Sequence, residues 1–290
     1  MTTPARAPIG HEDDPALREW VVAQAVAGIA PEQVLAALCE RGLAQQAAIE
    51  YVEQVLRGHV ESHARDNGLP LPATVPAPID SNGPSALVVE GRKVHVLASL
   101  LHPRVVVFGG FLSNAECDEL VATARPRLRR SSTLDLQTGE DTAHEHRTSQ
   151  GMAFQRGQTP LCARIERRIA TLLDWPVENG EGLQVLRYGV GAEYRPHYDY
   201  FDPAFPGTAA TLRRGGQRVA SLVMYLNTPA RGGATVFPDA HFEAAAVKGN
   251  AVFFSYDRPH PVTASLHGGA PVLEGEKWIA TKWLRAGRHD

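Results

Sequence analysis

The stretch Tyr194-Arg195-Pro196-His197-Tyr198-Asp199-Tyr200-Phe201 places an imidazole and a carboxylate two residues apart. In an extended chain successive side chains alternate between faces, so His197 and Asp199 project to the same side. Two ligands on one face need a third from elsewhere. A set of two His and one carboxylate that leaves coordination positions open is the ligand pattern of non-haem Fe(II) centres. The stretch therefore predicts a distant second His. Alone, His-X-Asp also fits a loop His beside a surface Asp, which is the more common arrangement.

Two downstream histidines compete for that place. His260, in Asp257-Arg258-Pro259-His260-Pro261, is flanked by prolines and reads as an exposed turn residue. His267 is followed ten residues later by Lys277, which heads what reads as the last strand in Gly275-Glu276-Lys277-Trp278. A single buried Lys suits the far end of a dicarboxylate whose near end chelates a metal, and this favours His267. His144 and His146 lie in a polar stretch and read as solvated.

Around these residues the chain breaks into short β runs separated by Gly- and Pro-rich turns. The runs are Leu183–Tyr188, Arg218–Asn227, Ala234–Phe237, His241–Ala245, Ala251–Tyr256 and Trp278–Leu284. Upstream come shorter strands at Ala86–Val89, Lys93–Leu97, Val105–Phe108 and Met152–Phe154. A helix opens at Ser113 with Glu116 three residues on, as in a capping box, and another runs from about Pro160 to Leu173. Strands grouped this way, without regular strand–helix alternation, predict an α+β fold with a sandwich or jelly-roll barrel and helices on one side. No phosphate-cradling Gly loop is present, and a doubly wound nucleotide-binding sheet is disfavoured.

Ahead of this domain, residues 1–68 predict a small helical unit. Asp14-Pro15 caps a first helix with Leu17, Trp20, Val21 and Ala25 at helical spacing; a second starts near Pro31 with Val34, Leu35 and Leu38. A third spans about Ala44 to Arg57 with Ile49, Val52 and Leu56 on its stripe. The unit reads either as a docking or homodimerisation module or as a helical buttress for the main domain. Five prolines between Leu69 and Pro84 mark a linker, so the main domain is expected over residues 85–290.

Composition adds exclusions. The 290 residues are 43% hydrophobic and 21% charged, with a net charge of −3, so no overall basic field points to nucleic acid or an anionic membrane. Cys39, Cys117 and Cys162 are far apart, odd in number and in helical segments, which reads as reduced packed thiols. With no signal-like or spanning apolar run, the expectation is a cytoplasmic protein.

Taken together, four segments resemble the prolyl 4-hydroxylase-like family of 2-oxoglutarate/Fe(II)-dependent dioxygenases. They are Leu183-Gln184-Val185-Leu186-Arg187-Tyr188, His197-Tyr198-Asp199, Gly232-Gly233-Ala234-Thr235-Val236-Phe237-Pro238, and His267 through Lys277-Trp278-Ile279-Ala280-Thr281-Lys282-Trp283. They occur in family order over roughly residues 103–285, leaving the helical unit outside. The resemblance implies a double-stranded β-helix core in which His197, Asp199 and His267 bind iron. It implies that Lys277 holds the distal carboxylate of 2-oxoglutarate, helped by Tyr188 and Thr235. Tyr194, Arg218 and Trp283 fall where family members contact the peptidyl proline, and Arg147 where an Arg-Thr-Ser run lines the mouth. Read from the residues alone, Tyr188 and Trp283 also fit as core aromatics, and Arg218 as a strand-end surface charge.

The chemistry so implied is oxidative decarboxylation of 2-oxoglutarate by O₂ to succinate and CO₂, coupled to hydroxylation of a C–H bond, with ascorbate as an admissible accessory reductant. Asp199 favours hydroxylation, because halogenating relatives carry a small residue there. The loops Asp202–Gln217 and Ser131–His146, where a substrate groove would be covered, declare no ligand. A prolyl residue in a peptide or protein, a free amino acid, a natural-product intermediate, and a catalytically silent protein-binding barrel all remain open.

Overall fold

The structure, a computed structural model, describes residues 14–290 apart from 80–82, 132, 135–137, 139–140 and 143–147. Arg147, His144 and His146, and most of the Ser131–His146 loop, lie outside the described residues. The chain divides into two compact units, Met1–Leu71 and Pro72–Asp290.

In the first unit Asp14 accepts from the Ala16 N–H at 2.9 Å and caps α1 (Pro15–Val26), with Pro15 opening the first turn. α2 (Pro31–Cys39) and α3 (Gln45–Asp66) follow, and Leu17, Trp20, Val21, Val34, Leu38, Ala48 and Tyr51 form one buried cluster. α3 runs nine residues beyond the expected end at Arg57, because Gly58 is followed by residues that a helix tolerates; it ends at Asp66, shortly before Gly68, whose φ of 62° is left-handed. Of its expected stripe, Val52 and Leu56 pack on this cluster, while Ala48 and Tyr51 take the fully buried places and Ile49 is not part of it. Ala48 is small enough to be wholly enclosed, so the contact centres there.

The second unit is a β-rich α+β domain. Its larger sheet has nine antiparallel strands in the order Ala86–Val89, Arg92–Leu100, Arg104–Gly109, Ala251–Ser255, Arg218–Tyr225, Lys277–Arg285, Gln184–Tyr188, Gln150–Ala153, Arg129–Arg130. A second sheet has four, in the order Phe242–Ala244, Thr235–Phe237, His267–Gly269, Tyr194–His197. Alternation along the central strands divides their side chains between two cores. Leu222, Met224 and Phe253 pack with Phe111, Leu120, Ile165 and Ile169 of the helical side, where α4 (Asn114–Ala124) and α5 (Pro160–Leu173) lie. Val223, Tyr225, Val252 and Phe254 pack with Phe237 and Ala244 of the smaller sheet. Strands covered on both faces become nearly continuous apolar runs, which is why Arg218–Tyr225 and Ala251–Ser255 show little polar alternation.

Ser113 and Glu116 form the full capping box of α4, and Glu116 also pairs with Arg168 of α5 at 2.8 Å. The Pro-rich segment is less free than a linker. Ala73 donates to the Asp257 carbonyl at 2.6 Å, Arg104 donates to the Ile79 carbonyl at 2.5 Å, and Ile79 packs on the larger core. Cys117 and Cys162 are buried and Cys39 half-buried, all as free thiols, and burial pushes the Cys117 thiol up to about 11. No described helix is long and apolar enough to cross a membrane.

Candidate metal centre

The strands Tyr194–His197 and His267–Gly269 pair antiparallel with His267 directly opposite His197. Residues opposite one another project to the same face, and the two imidazole rings lie 4.4 Å apart between centroids. Gly268 permits this approach, since a Cβ there would sit 2.8 Å from the Tyr194 carbonyl oxygen. Asp199 follows just past the strand end, with Oδ1 3.5 Å from His197 Nε2 and Oδ2 3.5 Å from His267 Nε2. The ligand atoms of the three lie within 4.8 Å of one another, and among the described residues this is the group able to hold a metal ion.

The proton positions follow from the neighbours. His197 Nδ1 is 2.9 Å from the Arg195 carbonyl and His267 Nδ1 is 3.0 Å from that of Ser265. A carbonyl oxygen only accepts, so both Nδ1 atoms carry the proton and both Nε2 atoms face the cluster. Burial lowers His267 to about 4, leaving a neutral imidazole with its lone pair available. Burial alone would raise Asp199, but His267 and His197, together with Arg218, outweigh it and hold the carboxyl well below its usual range. Two inward-facing imidazole nitrogens and an ionised carboxylate fit a divalent iron ion.

The adjoining pocket, of about 50 Å³, has Leu186, Val223 and Ile279 as apolar walls and Tyr188, Thr235 and Lys277 as polar groups. Lys277 is 3% exposed and no carboxylate among the described residues pairs with it; its ammonium lies 5.6 Å from the Tyr188 ring and 5.8 Å from that of Tyr225. Burial lowers it to about 8. The other cations nearby are engaged, Arg187 with Glu276 at 2.7 Å and Arg218 with Glu181 at 2.7 and 2.9 Å. A larger groove of about 950 Å³ lies between α1 and α3 in the first unit; the metal-ligating set is not there.

Tyr194 stacks on the His197 ring at 3.6 Å, and Trp283 lines the pocket with its indole N–H buried and unpartnered among the described residues. Arg218 is neither a surface charge nor part of the pocket lining. Its guanidinium lies between Trp283, at 4.1 Å, and Phe201, at 4.6 Å, and is taken up by Glu181. His260 stands apart from the cluster, capping a short turn by accepting from the Val262 N–H at 3.1 Å. Sequence reasoning missed Ser221, Tyr225 and Tyr256. Tyr225 donates to Thr235 Oγ1 at 2.7 Å, and Ser221 donates to Asp199 Oδ2 at 2.6 Å. The signal was period two along Arg218–Tyr225, which puts Ser221, Val223 and Tyr225 on one face.

A sequence model of the 2OG-Fe(II) oxygenase superfamily matches residues 183–285. A probable prolyl 4-hydroxylase 4 of Arabidopsis thaliana is 39% identical over 229 residues, which are 71% of this chain and 74% of that protein. Prolyl 4-hydroxylase 2 of the same plant is 38% identical over 226 residues, 70% of this chain and 73% of its own length. Among solved structures, the 2OG complex of a viral collagen prolyl hydroxylase from Paramecium Bursaria Chlorella virus-1 is 31% identical with a TM-score of 0.48, covering 62% of this chain and 95% of that one.

Proposed function

The chain belongs to the prolyl 4-hydroxylase-like family of 2-oxoglutarate/Fe(II) oxygenases, and we propose that the C–H bond it hydroxylates is in a prolyl residue of a peptide or protein. It is an oxidoreductase that uses Fe(II), 2-oxoglutarate and O₂. Bound together, these supply the oxidising power, with 2-oxoglutarate converted to succinate and CO₂ and ascorbate an admissible accessory. The chain's own part is placement and enclosure.

His197 and His267 hold the iron through Nε2, and Asp199 through its carboxylate. Lys277 receives the distal carboxylate of 2-oxoglutarate, and having no counter-charge among the described residues is what suits it to an anion. Thr235 already accepts from Tyr225, so its own hydroxyl proton is free for the same carboxylate, and Tyr188 assists from beside Lys277. The Trp283 indole N–H, unpartnered among the described residues, is a donor for a substrate carbonyl, and Tyr194 offers an aromatic face for a pyrrolidine ring. Arg218 acts on the substrate side through Trp283, which it backs. The double-stranded β-helix, or jelly-roll, reading is supported by two antiparallel sheets sharing one apolar core. We assign the helices of the first unit to docking of a macromolecular substrate or to a homodimer contact, and the protein to the cytoplasm.

The observation that carries the prolyl assignment is the joint presence of the His197, Asp199, His267 and Lys277 set and 39% identity across 74% of a probable prolyl 4-hydroxylase. The test supplies Fe(II), 2-oxoglutarate and either proline-containing peptides or free amino acids, then measures succinate and product mass. One added oxygen on a peptidyl proline is expected. Oxygen appearing on a free amino acid alone would replace this reading with that of a small-molecule hydroxylase, and succinate with no oxygenated product in either panel would remove the prolyl assignment.

A further inference from the structure

Asp199 is held by a chain of two hydroxyls that lies outside the metal-ligating set. Ser221, fully buried on the strand Arg218–Tyr225, lies with its Oγ 2.6 Å from Asp199 Oδ2. Its other neighbour is the hydroxyl of Tyr256, 2% exposed, at 2.9 Å. The direction of these bonds follows from counting protons. A ligating carboxylate brings none, so Ser221 must donate to Asp199; having given its single proton, Ser221 can only accept from Tyr256. Tyr256 sits just past the strand Ala251–Ser255, which pairs with Arg218–Tyr225, so two neighbouring strands fix both hydroxyls rigidly.

We propose that Ser221 and Tyr256 are positioning residues, forming a one-way hydroxyl relay that engages Asp199 Oδ2 and leaves Oδ1 as the oxygen offered to the metal. This rests on the Fe(II) reading above. Both carboxylate oxygens lie at the same 3.5 Å from a His Nε2, so the histidines alone do not choose between them. The relay does choose. A contact of 2.6 Å has the length of a charge-assisted O–H···O⁻ bond, and it engages Oδ2 and fixes the rotation of the carboxylate so that Oδ1 faces the imidazole nitrogens. A carboxylate so held would offer a metal one oxygen in a fixed orientation; without the relay it would be free to turn out of that orientation, which weakens its grip.

The test uses the full chain stripped of metal and titrated with Co(II), followed by visible absorption, with melting of the metal-free protein alongside. Ser221→Ala is expected to bind Co(II) about 10-fold more weakly, the low end of what such outer-sphere partners contribute, and to shift the Co(II) bands. Tyr256→Phe should weaken binding in the same sense by a smaller factor, and the metal-free melting temperature should stay near that of wild type. Wild-type affinity and spectrum in both variants would overturn the relay, as would an affinity loss matched by a falling metal-free melting temperature with unshifted bands. If Ser221→Ala does not fold, Tyr256→Phe decides by the same criteria. Wild-type protein that takes up no Co(II) would remove the metal site itself, an outcome distinct from the failure of the relay.

Discussion

Lys277 keeps a charge where water scarcely reaches and where no described carboxylate answers it. Burial lowers it from 10.5 to about 8, a cost on the order of 3 kcal/mol while the charge is kept. The folded chain holds this proton less tightly than the unfolded one, so the penalty is full below about 8 and is relieved as pH rises toward 10.5. Lys277→Met in the cosubstrate-free protein should therefore be more stable than wild type at neutral pH, with the gap closing at alkaline pH; denaturant melts across pH would show it, and a constant gap would contradict it. The same group should serve 2-oxoglutarate. Replacing it by Ala should remove a charge-assisted contact of roughly 1.5–3 kcal/mol, about one to two decades in 2-oxoglutarate affinity, with bound iron unchanged. His267 and His260 make the complementary pair. Iron analysis should find the metal lost in His267→Ala and retained in His260→Ala, because His260 spends its Nδ1 on a turn.

At the scale of elements, the site depends on two short strands whose register puts His197 opposite His267. Gly268 is the close point of that pairing. Gly268→Ala should force the strands apart at a cost of about 1–3 kcal/mol and weaken metal binding by about 10-fold, while circular dichroism stays that of a folded protein. Unchanged metal affinity would show that the strand pairing is slack enough to absorb the methyl. The helices show where pattern suffices. α5 carries its own punctuation, a Thr159 cap, Pro160 in the first turn and left-handed Asp174 at its end, and its limits agree with the expectation from sequence. α3 has no such stop at Arg57, and its true end at Asp66, shortly before left-handed Gly68, lies beyond a mostly polar run that periodicity does not mark.

At the scale of the whole molecule, the Pro-rich segment is the instructive part. A chain without donors at its prolines cannot join a central strand, yet Ala73 and the carbonyl of Ile79 still find partners within the second unit, to which both belong. A truncated protein beginning at Pro72 should keep its iron and its uncoupled 2-oxoglutarate turnover. One beginning at Ser85 should melt lower, having lost the Ile79 packing and the Arg104 bond. Equal melting temperatures for the two would mean that this segment adds nothing to stability.

What the sequence determined by itself was local or motif-borne. Short runs between Gly- and Pro-rich turns marked the strands, caps marked α1 and α4, and the family resemblance of the segments around His197, Asp199 and His267 implied these three as iron ligands, with Lys277 for the cosubstrate. Tertiary structure decided what depends on partners far apart in the chain. It paired Arg218 with Glu181, brought Ser221 and Tyr256 to Asp199, and set Tyr225 against Thr235. Such contacts join residues 10 to 37 positions apart through strand order and register, and a single sequence carries alternation along each strand but not which strand lies beside which.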